Sequence, residues 1–333
     1  MLLAVSPLIG RAQQGSPAWT RELKLSTALG SAYPLGKAGE LWASLIRDRS
    51  GGRLAVKHFP GAMLARRDPA REFGALSDGA FELAVGSAHA WASQIPALNL
   101  FALPWIARND AALDALIADT EVRGTLAGSL ERSGVVAVDW AANGFLELAT
   151  RLPVHKPADL DRSRIRTSSL PLIDDTMIAL GAVPNALSAE AARTAIAKAE
   201  LDGQLTSVAA YAASRSYASG LPHLLLWGAH ADAMVFAVNA SAWRALSEAE
   251  REIVQAAARD AARQALALTR RLAGDAALKE LAKQGADIHR LTPAGKDAYR
   301  AAAQPVYDRW ASVVGIDLVR SGEAAVAAPN ATR

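Results

Sequence analysis

The side chain best placed to do chemistry in this chain is Arg166, which lies near the end of the polar segment 159–167 (DLDRSRIRT). It stands where a short strand ends and a helix opens near Pro171. In open α/β sheets this edge is where ligands bind, and a guanidinium grips a carboxylate through two parallel hydrogen bonds. By composition alone Arg166 is one of many surface arginines, whereas its position predicts an anion site.

A second set of candidates follows other predicted strands. His89 and Trp91 lie in the loop 86–91, directly after the predicted strand 81–85, and Tyr33 lies in the turn after the first strand. At a strand's carboxyl end such side chains can stack on a ligand or hydrogen bond to it. The alternative for all three is packing of the loop against its own domain.

Motifs for catalysis or metal binding are missing. The six histidines (58, 89, 155, 223, 230 and 289) form neither H-x-x-x-H nor H-E-x-x-H, so their spacing predicts no metal site. Cysteine is absent, which excludes thiolate catalysis and zinc–thiolate sites. Neither G-x-S-x-G nor a glycine-rich phosphate loop occurs, and we predict no enzyme and no cofactor.

Composition and charge limit the class of protein. The chain has 333 residues, about half of them hydrophobic, which is enough for two domains with a sizeable core. The net charge is only +3, from 36 basic and 33 acidic residues that are interspersed. This balance argues against nucleic acid as a partner.

The N-terminal residues 1–13 (MLLAVSPLIGRAQ) are apolar and then small. They predict the hydrophobic part of a secretory signal cleaved after Ala12, although the usual positive n-region is missing. A start assigned too far downstream, or a merely apolar tail, would explain the missing charge. We predict an exported protein, since no other stretch reaches the roughly 18 apolar residues of a membrane helix.

Hydrophobic periodicity then predicts the elements that position these residues. A strand (23–29), a helix (35–50) closed by Gly51 and Gly52, and a strand (53–59) form a β-α-β unit. The alternation continues with a helix over 111–133, and it predicts a doubly wound α/β fold.

Two further predictions concern the middle and the end of the chain. Strands at 135–140 and 145–151 are predicted to be joined by a turn at Asn143 and Gly144, and 223–227 and 234–238 are read as two more strands. The capping box from Ser247 to Glu250 begins a long alanine- and arginine-rich helix.

Short motifs along the whole mature chain occur in a recognisable order. They are SGGRL (50–54), FPG (59–61), GAFE (79–82), LPW (103–105), DL (159–160), RIR (164–166), LGAVP (180–184), Glu190, LDGQ (201–204) and NASAWRAL (239–246). No single motif is specific, but together and in this order they resemble the TRAP-type periplasmic solute-binding proteins, the C4-dicarboxylate-binding-protein-like or DctP family.

The resemblance implies a two-lobed, periplasmic-binding-protein-like α/β fold. Each lobe is expected to be a central sheet flanked by helices, with a hinge and a long helix spanning both lobes. The implied boundaries are a signal peptide or flexible N-terminus at 1–20 and a flexible tail at 322–333. Lobe I would comprise 21–143 with about 230–271, and lobe II 144–229 with about 272–321.

The resemblance also implies a function. It predicts a periplasmic receptor that closes around a small organic acid and delivers it to the small and large integral membrane subunits of a TRAP transporter. No nucleic acid is expected as a partner, and the receptor is expected to be a monomer. The alternatives are a dicarboxylate receptor, an ABC-type binding protein, and a carboxylate-processing enzyme on the same scaffold.

The family pattern assigns roles to individual residues. Arg166 matches the carboxylate-clamping arginine, and Ser169, Thr206, Ser87 and Tyr33 fall at or beside ligand-lining positions. His89 and Trp91 join this set from their loop.

Leu146 departs from the family pattern. It stands where many members carry a second arginine, so a second carboxylate would lack a partner. Because an unpaired anion in a dry cleft costs several kcal/mol, we predict a monocarboxylate with an apolar or aromatic body.

Overall fold

The computed structural model describes residues 21–167 and 170–328, so the predicted export segment (1–20) and Ser169 lie outside the described residues. Nine strands form one mixed sheet in the described part of the chain. They are β1 (Arg21–Thr27), β2 (Leu54–Pro60), β3 (Leu83–Ser87), β4 (Val135–Thr150), β5 (Arg164–Thr167), β6 (Val183–Ala186), β7 (Gly203–Thr206), β8 (His223–Asn239) and β9 (Asp287–Arg290).

Helices cover the sheet. They are α1 (Pro34–Arg49), α2 (Glu72–Ser77), α3 (Ala88–Trp91), α4 (Asp110–Ala118), α5 (Thr120–Arg132), α6 (Pro171–Ala179), α7 (Ala189–Ala197), α8 (Val208–Ala213), α9 (Ala240–Ala245), α10 (Glu248–Ala273), α11 (Asp275–Lys283), α12 (Pro293–Val314) and α13 (Ile316–Ala327). Short 3-10 helices span Met63–Ala65, Pro69–Arg71, Pro96–Leu100, Pro157–Leu160 and Ser216–Ser219. No described helix has both the length and the apolarity to cross a membrane.

The strand order is β2-β1-β3-β8-β4-β7-β5-β6, with β9 on β8. We call lobe I the half built on the parallel strands β1, β2 and β3, and lobe II the half built on the parallel strands β5, β6 and β7. The long antiparallel strands β4 and β8 run through both halves. The predicted two-lobed α/β fold is therefore confirmed.

The strand register shows where the lobes face each other. Ser87, at the end of β3, lies opposite Met234, which lies opposite Ala141 of β4. Thr206, at the end of β7, lies opposite Glu147 of β4. The carboxyl ends of the two strand sets therefore point towards each other, and at about 3.3 Å per residue their levels are roughly 20 Å apart along β4. This gap is the cleft between the lobes.

The predicted turn at Asn143 and Gly144 is wrong, because β4 is continuous. The two strands predicted at 223–227 and 234–238 are parts of one strand, β8. Gly144 (φ 88°) sits at a register shift within β4 instead of closing a hairpin. In β8 a second shift places the four residues 226–229 opposite Glu147 alone. Glycine in a strand marks a bulge as often as a turn, and a bulge bends the strand. Both shifts lie beside the cleft, where the two lobes join.

The long helix α10 begins at the predicted capping box, in which Ser247 Oγ accepts a hydrogen bond from Glu250 N–H at 3.3 Å. It packs on α1 of lobe I, where Trp42 Nε1 donates to Val254 O at 3.0 Å, and further along on α8 of lobe II. Its buried face is largely alanine, which lets it lie close to β4. The predicted lobe-spanning helix is confirmed.

The single helix predicted over 111–133 is two helices, α4 and α5. Asp119 ends the first, and its carboxylate accepts hydrogen bonds from Glu121 N–H and Val122 N–H, which caps the second. A side chain that can cap is a good place to restart a helix.

The flexible tail predicted from residue 322 differs from the structure through Ala327. The helix α13 packs on α4 and α5 of lobe I, with Gly322 and Ala325 buried. A Cβ on Gly322 would lie 3.1 Å from the Leu116 side chain, so alanine-rich sequence serves close helix packing here. The exact lobe boundaries stay a prediction.

Candidate functional site: a ligand cleft between the lobes

Arg166 lies at the end of β5 and is partly buried. Its Nε donates to Leu187 O at 2.9 Å, and no acidic side chain of the described residues pairs with it. Burial lowers the pKa of the guanidinium below its usual value. A desolvated cation without a counter-ion is unfavourable, and an incoming anion would relieve that cost.

Arg164, two residues earlier on β5, shows the opposite arrangement. Its Nε and Nη2 donate to the two carboxylate oxygens of Asp202 at 3.0 and 3.1 Å. Asp202 thereby fixes the start of β5 to the start of β7. The two arginines are two residues apart and lie on the same face of β5. Arg164, at the start of the strand, binds a structural partner, whereas Arg166, at its end, has no acidic partner among the described residues.

Two other predicted site residues lie at the same edge of lobe II. Thr206 ends β7, where it is buried and lies opposite Glu147. Leu146 precedes Glu147 on β4 and is partly buried against the hydrophobic core. Arg166, Thr206 and Leu146 therefore share the lobe II side of the cleft.

On the lobe I side, Ser87 belongs to a hydrogen-bond network around Asp232. Ser87 Oγ donates to Asp232 Oδ2 at 2.8 Å, and Asn143 Nδ2 donates to the same oxygen at 2.7 Å. The backbone N–H of His89 donates to Asp232 Oδ1 at 3.1 Å. Three donors thus compensate the buried carboxylate, and they join β3, β4 and β8 at the cleft.

The side chains of His89 and Trp91 make their contacts within the protein. His89 Nε2 lies 2.6 Å from Ala231 O, and the residue is buried. Trp91 is fully buried against Phe73, with ring centroids 5.3 Å apart. A Cβ on Gly86 would lie 1.9 Å from the indole, so β3 itself covers the ring. The structure places both rings in lobe I packing, and Trp91 has no surface for a ligand.

Tyr33 precedes α1 and lies at the carboxyl end of β1, where it is partly exposed. Its backbone N–H donates to Gly30 O at 3.0 Å, which closes the turn out of β1. It therefore stands on the lobe I side, at the same edge as Ser87.

Glu147 holds the bulge of β8 at the junction of the lobes. Its Oε2 accepts hydrogen bonds from Trp227 N–H at 2.9 Å and Gly228 N–H at 3.1 Å. Burial raises its pKa from 4.5 to about 7, although the two backbone donors favour the charged form. A buried acid thus stands at the junction of the lobes, beside the bulge of β8.

Sequence reasoning missed Asp232, Asn143 and Glu147. Asn143 was interpreted only as a turn residue, and Asp232 lies 145 positions from the Ser87 that it binds. The signal that could have found Asn143 was its place in the Asn-Gly-aromatic motif, beside Leu146. Nothing local in the sequence marks Asp232.

Taken together, the described cleft offers one uncompensated cation and several neutral polar groups between two lobes. Such a set can bind and orient an organic anion.

Comparison with known proteins agrees with this geometry. Residues 25–312 match the family described as bacterial extracellular solute-binding protein, family 7, or DctP. A solute-binding protein of Chromohalobacter salexigens is 25% identical over 285 residues, which are 84% of this chain and 81% of that protein.

Solved structures are also similar. A TRAP periplasmic solute-binding protein from Ralstonia eutropha H16, with bound (S)-2-acetolactate, is 40% identical. Its TM-score is 0.88, covering 92% of this chain and 98% of that one. One from Ochrobactrum anthropi, whose C-terminus occupies its ligand-binding pocket, is 26% identical with a TM-score of 0.82, covering 92% of this chain and 94% of that one.

These matches are to binding proteins and not to enzymes, as the sequence predicted. The family is extracellular, in agreement with the predicted location outside the cytoplasm. Because the family match extends over most of its length, the chain belongs to the DctP family of bacterial extracellular solute-binding proteins.

Proposed function

We propose that this chain is the monomeric periplasmic receptor of a TRAP transporter and that it captures a compact monocarboxylate bearing hydroxyl or oxo groups. The lobes close on the ligand, and the loaded receptor docks on the two integral membrane subunits. Lobe closure around a ligand is a well-established mode of action for two-lobed binding proteins.

The observation that carries the proposal is Arg166. A partly buried guanidinium without an acidic partner among the described residues stands at the edge where the two lobes meet. A ligand carboxylate would accept two charge-assisted hydrogen bonds from it, each contributing about 1.5–3 kcal/mol.

The neutral groups of the cleft suit hydroxyl and oxo groups. Ser87 Oγ donates to Asp232 and keeps an acceptor lone pair for a ligand hydroxyl. Asn143 uses one amide N–H on Asp232, which leaves a second N–H for a ligand oxygen. Thr206 and Ser169 add hydroxyls by the family pattern.

Leu146 supports one carboxylate instead of two. It is an aliphatic, partly buried residue beside Glu147 on β4, at the position where the family pattern often has arginine. The Ralstonia protein, 40% identical to this chain, binds (S)-2-hydroxy-2-methyl-3-oxobutanoate, which has one carboxylate, one hydroxyl and one oxo group. We therefore place 2-hydroxy and 2-oxo monocarboxylates of four to six carbons first, as an estimate from the size of that ligand.

The test is calorimetric titration of the purified protein with freshly prepared 2-acetolactate, other 2-hydroxy and 2-oxo monocarboxylates, succinate, malate and a hexuronate. We expect stoichiometric binding of a monocarboxylate without turnover. Tight binding of succinate or malate in preference to every monocarboxylate would overturn the substrate class. Turnover of the bound acid would overturn the receptor itself.

The variant Leu146→Arg sharpens the substrate class. If Leu146 excludes a second carboxylate, the new cation should weaken monocarboxylate binding and increase the relative affinity for malate or succinate. An unchanged ratio of the two affinities would place Leu146 outside the ligand contact.

A further inference from the structure

A cluster of three side chains stands on the surface of lobe II, away from the cleft residues described above. The parallel strands β8 and β9 pair there, with His223 opposite Asp287 and Leu225 opposite His289. Because side chains two apart on a strand share a face, Asp287 and His289 project together. His223 joins them from the neighbouring strand.

The donor atoms of the cluster are close together. Asp287 Oδ2 lies 2.9 Å from His223 Nδ1 and 2.9 Å from His289 Nε2. All three donor atoms lie within 4.8 Å of one another. The three side chains are partly exposed.

We propose that His223, Asp287 and His289 bind a divalent transition-metal ion of the zinc type. Two imidazole nitrogens and one carboxylate oxygen are a donor set that zinc uses, with the fourth position left to water or another ligand. For metal–ligand bonds of about 2.1 Å, tetrahedral donor atoms are roughly 3.4 Å apart. Opening the two 2.9 Å contacts by a few tenths of an ångström makes room for the ion.

The state of His289 supports this assignment. Its Nε2 is enclosed, and it makes no hydrogen bond of acceptable geometry although Asp287 Oδ2 is 2.9 Å away. The contact is therefore close but not well aligned for a hydrogen bond. A nitrogen lone pair held beside a carboxylate oxygen is the arrangement that a metal ion completes.

A third imidazole borders the cluster. The ring of His155 stands edge-on to that of His289, with centroids 5.0 Å apart. The His223 and His289 rings are stacked with centroids 5.9 Å apart. His155 is exposed and can supply the fourth donor after a side-chain rotation.

Sequence motifs do not indicate this site, because its three side chains come from distant parts of the chain. His223 and Asp287 are 64 positions apart and meet only because β9 pairs with β8. A bound ion would tie β9, and the start of the following helix α12, to the strand that crosses both lobes.

The test uses the full chain, freed of any affinity tag and treated with a chelator. Zn²⁺ is titrated against a chromophoric competitor, and Co²⁺ is added in parallel for its visible absorption. We expect one saturable equivalent of Zn²⁺ and a Co²⁺ spectrum of low coordination number. Zn²⁺ should also raise the midpoint of thermal unfolding.

Variants identify the ligands. Asp287→Asn and His289→Gln should each weaken binding by more than the roughly ten- to hundredfold typical of losing an outer-shell partner. His58→Gln and Asp297→Asn, which remove an imidazole and a carboxylate elsewhere, should bind Zn²⁺ as the wild type does. Arg166→Ala should also keep the metal, because the cluster is separate from the organic-acid site.

Three outcomes would overturn the proposal. They are no saturable binding, a Co²⁺ spectrum of the free hydrated ion, and unchanged affinity in Asp287→Asn and His289→Gln. Circular dichroism of each variant shows whether it folds. The Co²⁺ spectrum of the wild type shows whether the protein coordinates the ion, independently of the variants.

Discussion

The two sides of the cleft handle charge in opposite ways. On the lobe I side the Asp232 carboxylate accepts hydrogen bonds from Ser87, Asn143 and the backbone of His89. On the lobe II side the Arg166 guanidinium is partly buried without an acidic partner in the described chain. The buried charge of lobe I is thus compensated before a ligand arrives, whereas the buried charge of lobe II is compensated only by the ligand.

This difference explains how binding of an anion can favour closure of the two lobes. A ligand carboxylate supplies the counter-charge that lobe II lacks, while lobe I offers neutral groups that orient the rest of the molecule. The ligand affinity therefore depends most on Arg166, and the integrity of the empty protein depends most on Asp232. Four experiments separate these two dependencies.

The largest effect is expected for Arg166→Met. Losing two charge-assisted hydrogen bonds of about 1.5–3 kcal/mol each should weaken ligand binding at least a hundredfold. The ligand-free protein should become slightly more stable, because a desolvated and unpaired charge is removed. Titration calorimetry and chemical denaturation measure the two effects.

The control is Arg164→Met on the same strand. It should leave affinity nearly unchanged and lower stability, because Arg164 binds Asp202. Equal losses of affinity in the two variants would remove the distinction between them.

The second prediction concerns pH and Glu147. Its pKa is raised by burial from 4.5 to about 7, so between these values the folded protein holds a proton that the unfolded chain has released. Stability should therefore fall as pH rises from about 4.5 through 7, by on the order of 3 kcal/mol at most from this group.

Glu147→Gln should flatten that part of the stability profile, as followed by denaturation at several pH values. Glu72, a buried acid in lobe I whose pKa burial also raises to about 7, stays in the variant and contributes a residual slope. An unaltered profile in Glu147→Gln would mean that Glu147 is ionised throughout this range.

The third prediction is Asp232→Asn. The amide keeps only one of the two oxygens, so its NH2 group lies against the donors of Ser87 and Asn143 or against the backbone N–H of His89. In either orientation a buried donor loses its acceptor. We expect a loss of stability of about 1–3 kcal/mol and a roughly tenfold loss of affinity, which is 1.4 kcal/mol. A loss of affinity as large as that of Arg166→Met would place Asp232 in direct ligand contact.

The smallest effect on affinity is expected for Trp91→Phe. Because the indole is fully buried against Phe73 and Gly86, the change should lower stability through lost packing by about 1–2 kcal/mol. Affinity should change less than about threefold, or under 1 kcal/mol. A tenfold loss of affinity, with the fold intact, would return Trp91 to the ligand site.

The sequence predicted most of the fold because its signals are local. The glycines after α1, the capping box of α10 and the alternation of strands and helices each act within a few residues. The bulge at Gly144 in β4 was mistaken for a turn, and β8 was divided into two strands at its own bulge. Glycine permits both a bulge and a turn, and only pairing with a distant strand decides between them.

Site residues with a local sequence signal were likewise predicted, and those that depend on long-range pairing were not. Arg166 could be placed from its own motif at the end of β5. Asp232 can be recognised only from its hydrogen bond to Ser87, and the metal-type cluster only from the pairing of β8 with β9. Trp91 shows the reverse error. A loop aromatic at the carboxyl end of a strand suggested ligand stacking, while the glycine beside it makes room for the ring in the core.

The pairing of β8 with β3 also affects how the chain folds during synthesis. β3 has β1 on one side and β8 on the other, so lobe I is not closed until residues 234–238 are available. A chain that emerges with its N-terminus first must keep the exposed edge of β3 unpaired while some 145 further residues follow. Such non-local pairing slows folding, so lobe I is expected to close late, after β8 has been made.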